Sequence, residues 1–382
     1  MSKYGLADSE RYGLGLQNGT LIGDVETKGT SWWGGGHFSG AVPIDEARRL
    51  LGLSDASLRR IFDEDMPVPD LHEQLAALNG STMSYGELQQ ALRNLLGIRE
   101  LEDYRSVVNV HNGHVYQVAS EGYVIHQYNE VLLDNVMLLI DTSDVDLHIS
   151  SVTNLGRGQQ AVVQVAPPDG ITVGGDRFLF TVAAFTSHDG SWATGYKIVI
   201  IRIVCDNTGD AAYRGGSPMY RIKHTRNSGL KVAEARDLLG LMFDSMDDFA
   251  AEVDMLQNVE VTDRQFGVVL DKLYPLVDAN GVELSDRSKT MVTTKREQVV
   301  GMYKFDMRVA PWTGSAWGVV QAVNTATQHK FTIRGTNKGI TRQDRQIQSA
   351  INGKFHDVDT TTIKAINDMR ETFGLSQVLT SV

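Results

Sequence analysis

Residues 177–208, RFLFTVAAFTSHDGSWATGYKIVIIRIVCDNT, decide how this chain is to be read. Phe178, Phe180, Val182 and Ala184 alternate with Leu179, Thr181 and Ala183, and residues 198–204 form a nearly unbroken β-branched run. Alternation followed by a continuous apolar run predicts two paired strands, the second buried on both faces. Asp189-Gly190 lies between the runs, where a tight turn needs positive φ. The stretch therefore reads as a long β-hairpin. Lys197 and Arg202 interrupt its apolar return strand, which ends in Cys205, Asp206, Asn207 and Thr208, and strand ends of this kind often carry binding residues.

Working outward, residues 145–152 and 160–166 predict a second hairpin. Its turn, Asn154-Leu155-Gly156-Arg157-Gly158-Gln159, sets one arginine between two glycines, a geometry suited both to approaching a phosphate and to turning the chain. Residues 107–118, VVNVHNGHVYQV, predict a third hairpin on Asn112-Gly113, with His111 and His114 flanking the turn. Two such histidines could join a carboxylate in holding a metal, but no third ligand stands nearby, and polar turn flanks are the simpler reading. Helical patterns cover residues 127–140, 230–256, 313–329 and 360–373, with Thr262 and Gln265 at capping-box spacing before another helix. From 44 to 98 the pattern is also helical, with Ser84 and Glu87 at the same spacing. Residues 1–40 read as an extended Gly/Ser/Thr-rich arm whose paired Trp32 and Trp33 must pack on this chain's core or on a neighbouring copy.

The fold class predicted is α+β, an antiparallel hairpin meander with packed helices. Its parts are an arm (1–40), a helical insert or cap (41–105), an α+β core (106–275) and a helical C-terminal region with a basic stretch (276–382). A chain of 382 residues, 42% hydrophobic and 22% charged, is ordinary for a folded protein with a large core. One cysteine excludes an internal disulfide and any cysteine-based zinc cluster, and fits a reducing compartment. No signal-peptide core and no run of about 18 apolar residues stands in the sequence, so a soluble, cytoplasmic protein is expected, with no membrane partner.

The net charge of −11 is unevenly spread. Residues 197–236 hold eight basic residues against three acids, residues 330–354 six against one, and residues 241–286 eleven acids against Arg264 and Lys272. Such segregation is what an electrostatic footprint on an acidic protein looks like, although solvated loops between acidic helices give the same pattern.

Ser187-His188-Asp189-Gly190-Ser191 followed by IRIVCDNT at 201–208 resembles the signature of the phage/plasmid-related protein family, a domain of unknown function carried by bacteriophages, plasmids and some bacterial genomes. Trp33 and His37 with Ala41-Val42-Pro43, then Tyr123 to Gln127 with Asn129 and Glu130, then Gly314-Ser315-Ala316-Trp317 with Ala322-Val323, resemble further motifs in the same order. The resemblance implies a mobile-element origin and supplies no chemistry. The order helix, hairpin, hairpin, long helix is similar to that of the RAD52-like single-strand annealing proteins encoded by many phages, a likeness of topology only.

His188, Asp189, Cys205 and Asp206 include a nucleophile, a base and an acid, but a turn at Asp189-Gly190 puts His188 at the closed end of the hairpin and Cys205 near its open end. At about 3.3 Å per residue they stand too far apart to act together within one subunit. Nucleotide-binding glycine motifs are missing from the sequence, and no cofactor is expected. Binding single-stranded DNA asks only for a cationic groove and an oligomer, a ring or filament, to extend it. The groove candidates are Arg157, Lys197, Arg202, Arg214, Arg221, Lys223 and Arg226, with Lys330, Arg334 and Lys338 of the basic stretch. The functional expectation is single-strand binding with possible ATP-independent annealing. Its competitors are a metal-dependent enzyme acting on nucleic acid, built on His111, His114 and His188, and a structural or host-interaction protein using the acidic helices.

Overall fold

The computed structural model of the chain describes residues 19–24, 36–38, 40–63, 84, 87, 88, 90, 91, 99–202, 207–210, 219–222, 232–332 and 342–378. In chain order the N-terminal half runs β1 (Gly19–Asp24), β2 (Gly36–Phe38), α1 (Ile44–Gly52), β3 (Ala56–Asp63), β4 (Arg99–Asn109) and β5 (Val115–Ser120). A π-helical turn (Asn129–Leu133) leads into α2 (Asp134–Asp141), followed by β6 (His148–Leu155), β7 (Gln160–Ala166), β8 (Ile171–Val173), β9 (Asp176–Ser187), β10 (Thr194–Arg202), β11 (Asn207–Asp210) and β12 (Met219–Ile222). The C-terminal part is helical: α3 (Val232–Asn258), α4 (Asp263–Leu273), α5 (Asp286–Phe305), α6 (Ala316–His329), α7 (Arg342–Ile351) and α8 (Lys354–Thr372). The protein is thus α+β with antiparallel sheets.

The predicted hairpin is the middle of the larger sheet. β9 and β10 pair antiparallel from Phe185–Gly195 to Phe178–Arg202, and β6, β7, β9 and β10 form a continuous antiparallel meander. One edge is extended by β1 and β2, so part of the N-terminal arm is a component of this sheet, while β11 and β12 pair with β10 at the other edge. Every residue of β10 is buried, as its β-branched run predicts. Phe178, Phe180, Val182 and Ala184, with Tyr196, Ile198 and Ile200, face the main core, where Phe178 and Phe180 meet Phe249 of α3 and Phe178 also meets Trp317 of α6. Leu179, Ala183, Phe185, Val199 and Ile201 line the other face against Ile347 and Ile351 of α7. Each large side chain so buried is worth about 1.5–3 kcal/mol, which is why both faces need a helical cover.

α6 is buried without a break from Ala316 to Ala326, as befits a helix enclosed by other elements. Gly318 is required there, because a Cβ at that position would sit 2.1 Å from the Trp312 carbonyl oxygen. Asn324 donates to Asp359 of α8 at 2.7 Å. The capping boxes at Thr262/Gln265 and Ser84/Glu87 both form.

One sequence reading needs correction. Residues 56–63, ASLRRIFD, lie in the stretch read as helical but form β3, which pairs with β4 in a separate three-stranded sheet, β3-β4-β5. Their Leu and Arg content suits a helix, and the pairing with β4, whose strand begins at Arg99, overrides it. The basic stretch after His329 contains a helix, α7, whose buried Ile347 and Ile351 are one turn apart. Trp32, Trp33 and Cys205 lie outside the described residues. No helix among the described residues is long and apolar enough to cross a membrane.

Candidate functional site

At one end of the larger sheet two turns meet. Gln160 pairs with Ser187, which places the β6–β7 turn beside the β9–β10 turn, and the His188 amide donates to the Gln159 carbonyl at 2.7 Å. β12 runs to the same end, where Ile222 pairs with Thr194 and Arg221 with Gly195.

In the β6–β7 turn three successive residues are left-handed, Gly156 at φ 55°, Arg157 at 64° and Gly158 at 84°. Arg157 is the described non-glycine residue with positive φ, and its side chain is exposed. Its guanidinium has no hydrogen bond or ion pair among the described residues. The turn is clamped from beneath. Tyr128 Oη donates to the Gly158 carbonyl at 2.9 Å and accepts from the His188 amide at 3.2 Å. A Cβ on Gly158 would lie 2.3 Å from Ser54 Oγ and 3.1 Å from Tyr116 Oη, so this position demands glycine. Tyr116 Oη accepts from Asn109 Nδ2 at 2.6 Å and donates to the Ser54 carbonyl at 3.3 Å.

A ring stack runs through the same place. His188, 0% exposed, lies parallel to Tyr128 at 4.0 Å and stacks on Tyr116 at 5.3 Å, and His114 meets Tyr116 edge-on at 5.6 Å. Burial pushes the Tyr116 hydroxyl up to about 12 and that of Tyr128 well above its ordinary value, so both stay protonated donors. Burial first, and the charge of Arg157 second, hold the His114 imidazole below its ordinary pKa. Burial raises the Asp55 carboxyl, and nearby His111 partly offsets this.

The His-Asp-Gly motif is a folded turn here. Asp189 Oδ1 accepts from the Ser191 amide at 3.0 Å and from Ser191 Oγ, Gln117 Nε2 donates to the His188 carbonyl at 2.9 Å, and Gly190 sits at φ 70°. Gln160 Nε2 donates to Ser191 Oγ and Gln348 Nε2 of α7 donates to Gln160 Oε1, tying the turn to the helix that covers the sheet. Asn207 and Thr208 stand at the opposite end of β10, on β11, paired with Arg202 and Ile201.

Of the expected groove cations, Lys197 and Arg202 are corrected by the structure, each only 2% exposed. Lys197 Nζ donates to the Ala350 carbonyl at 2.9 Å, in the last turn of α7, where the helix dipole favours a cation. Arg202 Nε lies 2.6 and 2.8 Å from the two oxygens of buried Asp176, which also accepts from Trp317 Nε1 at 3.1 Å. The remaining nitrogens of Arg202 donate to Gln321 and to the Arg308 carbonyl, and its guanidinium covers the Trp312 ring at 4.6 Å. Both cations work inside the fold and present no charge to a groove. Burial is the main influence on Asp176 and raises its carboxyl despite the pairing with Arg202.

Lys330 is exposed at the C-terminal end of α6. Arg214, Lys223, Arg226, Arg334 and Lys338 lie outside the described residues, and of Arg221 only the backbone position is described. The two turn histidines diverge in role. His111 Nε2 bonds the Gly52 carbonyl at 2.9 Å, whereas His114 turns to Tyr116. No group of three or more His, Cys, Asp or Glu able to hold a metal occurs among the described residues. Sequence reasoning missed the clamp, because Ser54, Tyr116, Tyr128 and His188 are brought together only by pairing of separate sheets and turns.

An antiparallel meander, with helices on both faces and two turns converging at one end, defines an α+β domain with an exposed, left-handed arginine at that end. Residues 115–351 match the family described as a domain of unknown function, DUF932, and the chain belongs to that family. The matched span runs from β5 through α7 and takes in Tyr116, Tyr128, Arg157 and His188. No curated protein and no solved structure matches the chain.

Proposed function

We propose that this is a phage- or plasmid-type protein that binds single-stranded DNA through its phosphate backbone and promotes annealing of complementary strands without ATP, as RAD52-like annealing proteins do. The observation that carries this reading is Arg157. A left-handed arginine costs about 1–2 kcal/mol relative to an ordinary conformation, and strain of this kind persists where the surroundings over-determine it, commonly at functional sites. Tyr128, Tyr116, Ser54 and His188 supply that over-determination, and the result is an exposed guanidinium held on a rigid support. With Lys197 and Arg202 inside the fold, six basic residues against three acids remain in residues 197–236, and one of them, Arg221, belongs to the strand that runs to the Arg157 end. Annealing further implies a homo-oligomer, ring or filament, that extends the contact along the strand.

Fluorescence anisotropy of a labelled oligothymidylate, at two salt concentrations and with and without Mg²⁺, tests the reading. Expected is binding that weakens steeply with salt and ignores Mg²⁺, with Arg157→Met lowering affinity and reducing the slope of log K against log salt by about 0.7. Absence of binding at low salt sinks the proposal, and cleavage only with Mg²⁺ transfers it to a nuclease.

A further inference from the structure

Far from Arg157, where α5 ends, two large apolar side chains stand in solvent. Phe305 is 81% and Met307 89% exposed, the highest values among the described large hydrophobic residues. The chain that carries them is fixed by hydrogen bonds. The Asp306 amide donates to the Met302 carbonyl at 3.3 Å, and the Asp306 carbonyl accepts from the Val309 and Ala310 amides at 3.0 and 2.8 Å. The Asp306 carboxylate accepts from Arg308 at 2.7 and 2.6 Å, and the Arg308 carbonyl accepts from buried Arg202 at 2.8 Å. Phe305 and Met307 therefore form a firmly mounted knob that packing within the chain does not use. Exposed apolar residues scattered singly are ordinary, whereas apolar surface grouped in one place marks a contact.

The same chain carries a receptor for such a knob. Where the C-terminal end of α2 meets the N-terminal half of α3 lies a cavity of about 500 Å³, open to solvent and lined by Thr142, Asp144, Val145, Leu239, Gly240 and Phe243 among others. Cavities of about 300–1,000 Å³ enclose whole small ligands, so this one has room for a phenyl ring and a thioether together. Its base is apolar, with Leu239 buried and Phe243 half-buried against the main core, and Val145 is exposed at its mouth. Gly240 keeps one wall bare. A Cβ there would meet nothing within 4 Å, so the fold itself tolerates a side chain at this helix-interior position, where glycine is less stable than alanine. The charges match as well. Asp144 lines the cavity, Asp141 and Asp146 are exposed beside it, and α2 has no basic residue in its last turn to offset its negative end. The knob brings Lys304, whose exposed ion pair with Asp263 at 3.1 Å is worth little and can be exchanged for an acid at the mouth.

We propose that the Phe305/Met307 knob of one copy of this chain enters the α2–α3 cavity of the next, with Lys304 facing Asp144. The knob is tied through Arg308 to the end of β10, the cavity lies on the segment that enters β6, and β9 and β7 stand between those strands. Knob and receptor are thus different surfaces, and each copy presents one of each. Such a contact is head-to-tail and propagates into a ring or a filament. Two side chains bury far less than the roughly 800 Å² per partner of a stable interface, so the contact by itself is weak and concentration-dependent. Copies held on one polymer would meet at high effective concentration and assemble more readily. The proposal does not depend on strand binding, and it names the contact behind the oligomer that annealing requires.

Sedimentation velocity of the full chain without DNA, over a range of protein concentrations, reads the association directly. The wild type should form species that grow with concentration. Phe305→Ser/Met307→Ser removes the knob and Gly240→Gln fills the cavity, and each should weaken association about tenfold or more. Mixing the two variants is the decisive arm. One supplies an intact cavity and the other an intact knob, so the mixture should form a dimer and stop there, which also shows that both variants are folded. A wild type that stays monomeric throughout overturns the proposal. So does a variant that associates as the wild type does, or a mixture that remains monomeric. Wild-type association lost in both variants and restored in the mixture, in a protein that binds no oligothymidylate, supports the contact and overturns the annealing reading alone.

Discussion

Arg157 carries a backbone cost that a glycine in its place would not. Its φ of 64° suits glycine, and replacing it by glycine removes about 1–2 kcal/mol of strain while returning about 0.5–1 kcal/mol through the greater freedom of the unfolded chain. Arg157→Gly is therefore expected to leave the melting temperature unchanged or slightly raised while strand affinity falls, an outcome read by calorimetry and anisotropy on the same sample. A clear loss of stability would assign the side chain a structural role. The glycine-flanked arginine was legible as a turn from its sequence alone. What holds it was not, because Tyr128 and Tyr116 announce nothing by their spacing, and a hydroxyl's partner depends on which turn folds over it. For Lys197 and Arg202 the failure was of another kind. A cation in an apolar strand looks like a binding residue until the carbonyls and carboxylate opposite it are known, here Ala350 and Asp176.

At the scale of elements, α7 covers the second face of the sheet with few apolar anchors. Ile347 and Ile351 pack on the strands, and polar links from Gln348 to Gln160, Asn352 to Trp192 and Lys197 to Ala350 complete its attachment. Lys197→Met leaves the Ala350 carbonyl without its cation, at a cost of about 1–3 kcal/mol. Because the loss falls on one helix, amide exchange should accelerate in residues 342–351 and remain slow in β7, β9 and β10, as hydrogen-exchange mass spectrometry can resolve. Uniform acceleration in helix and strands would show instead that α7 and the sheet open as one unit. The hairpins around 154–159 and 188–193 and the Thr262 capping box were readable because turn glycines and caps act locally. β3 was not, since a short strand is stabilised by its partner, and β4 lies well beyond it in the chain.

Across the whole molecule, pH acts through buried histidines. His126 is buried with Nδ1 2.6 Å from Thr194 Oγ1, which in turn lies 2.6 Å from Thr186 Oγ1, and burial lowers its pKa. A base with a folded pKa below its unfolded value adds stability above the unfolded value, about 6.5, and loses that contribution as pH falls through the folded value. The melting temperature should therefore drop between about pH 7.5 and about pH 5.5, and drop less in His126→Asn. Parallel pH profiles for the two proteins would remove His126 from the account. The sequence by itself determined the α+β class, the paired strands of residues 177–208, the helical C-terminal part and the uneven charge, because periodicity, turn residues and composition are local properties of the chain. Only the tertiary structure decided which cations face solvent, that two separate sheets form, and that Ser54, Tyr116, Tyr128 and His188 close around one left-handed arginine. Those outcomes depend on contacts between residues far apart in sequence, where burial and partner geometry outweigh every local preference.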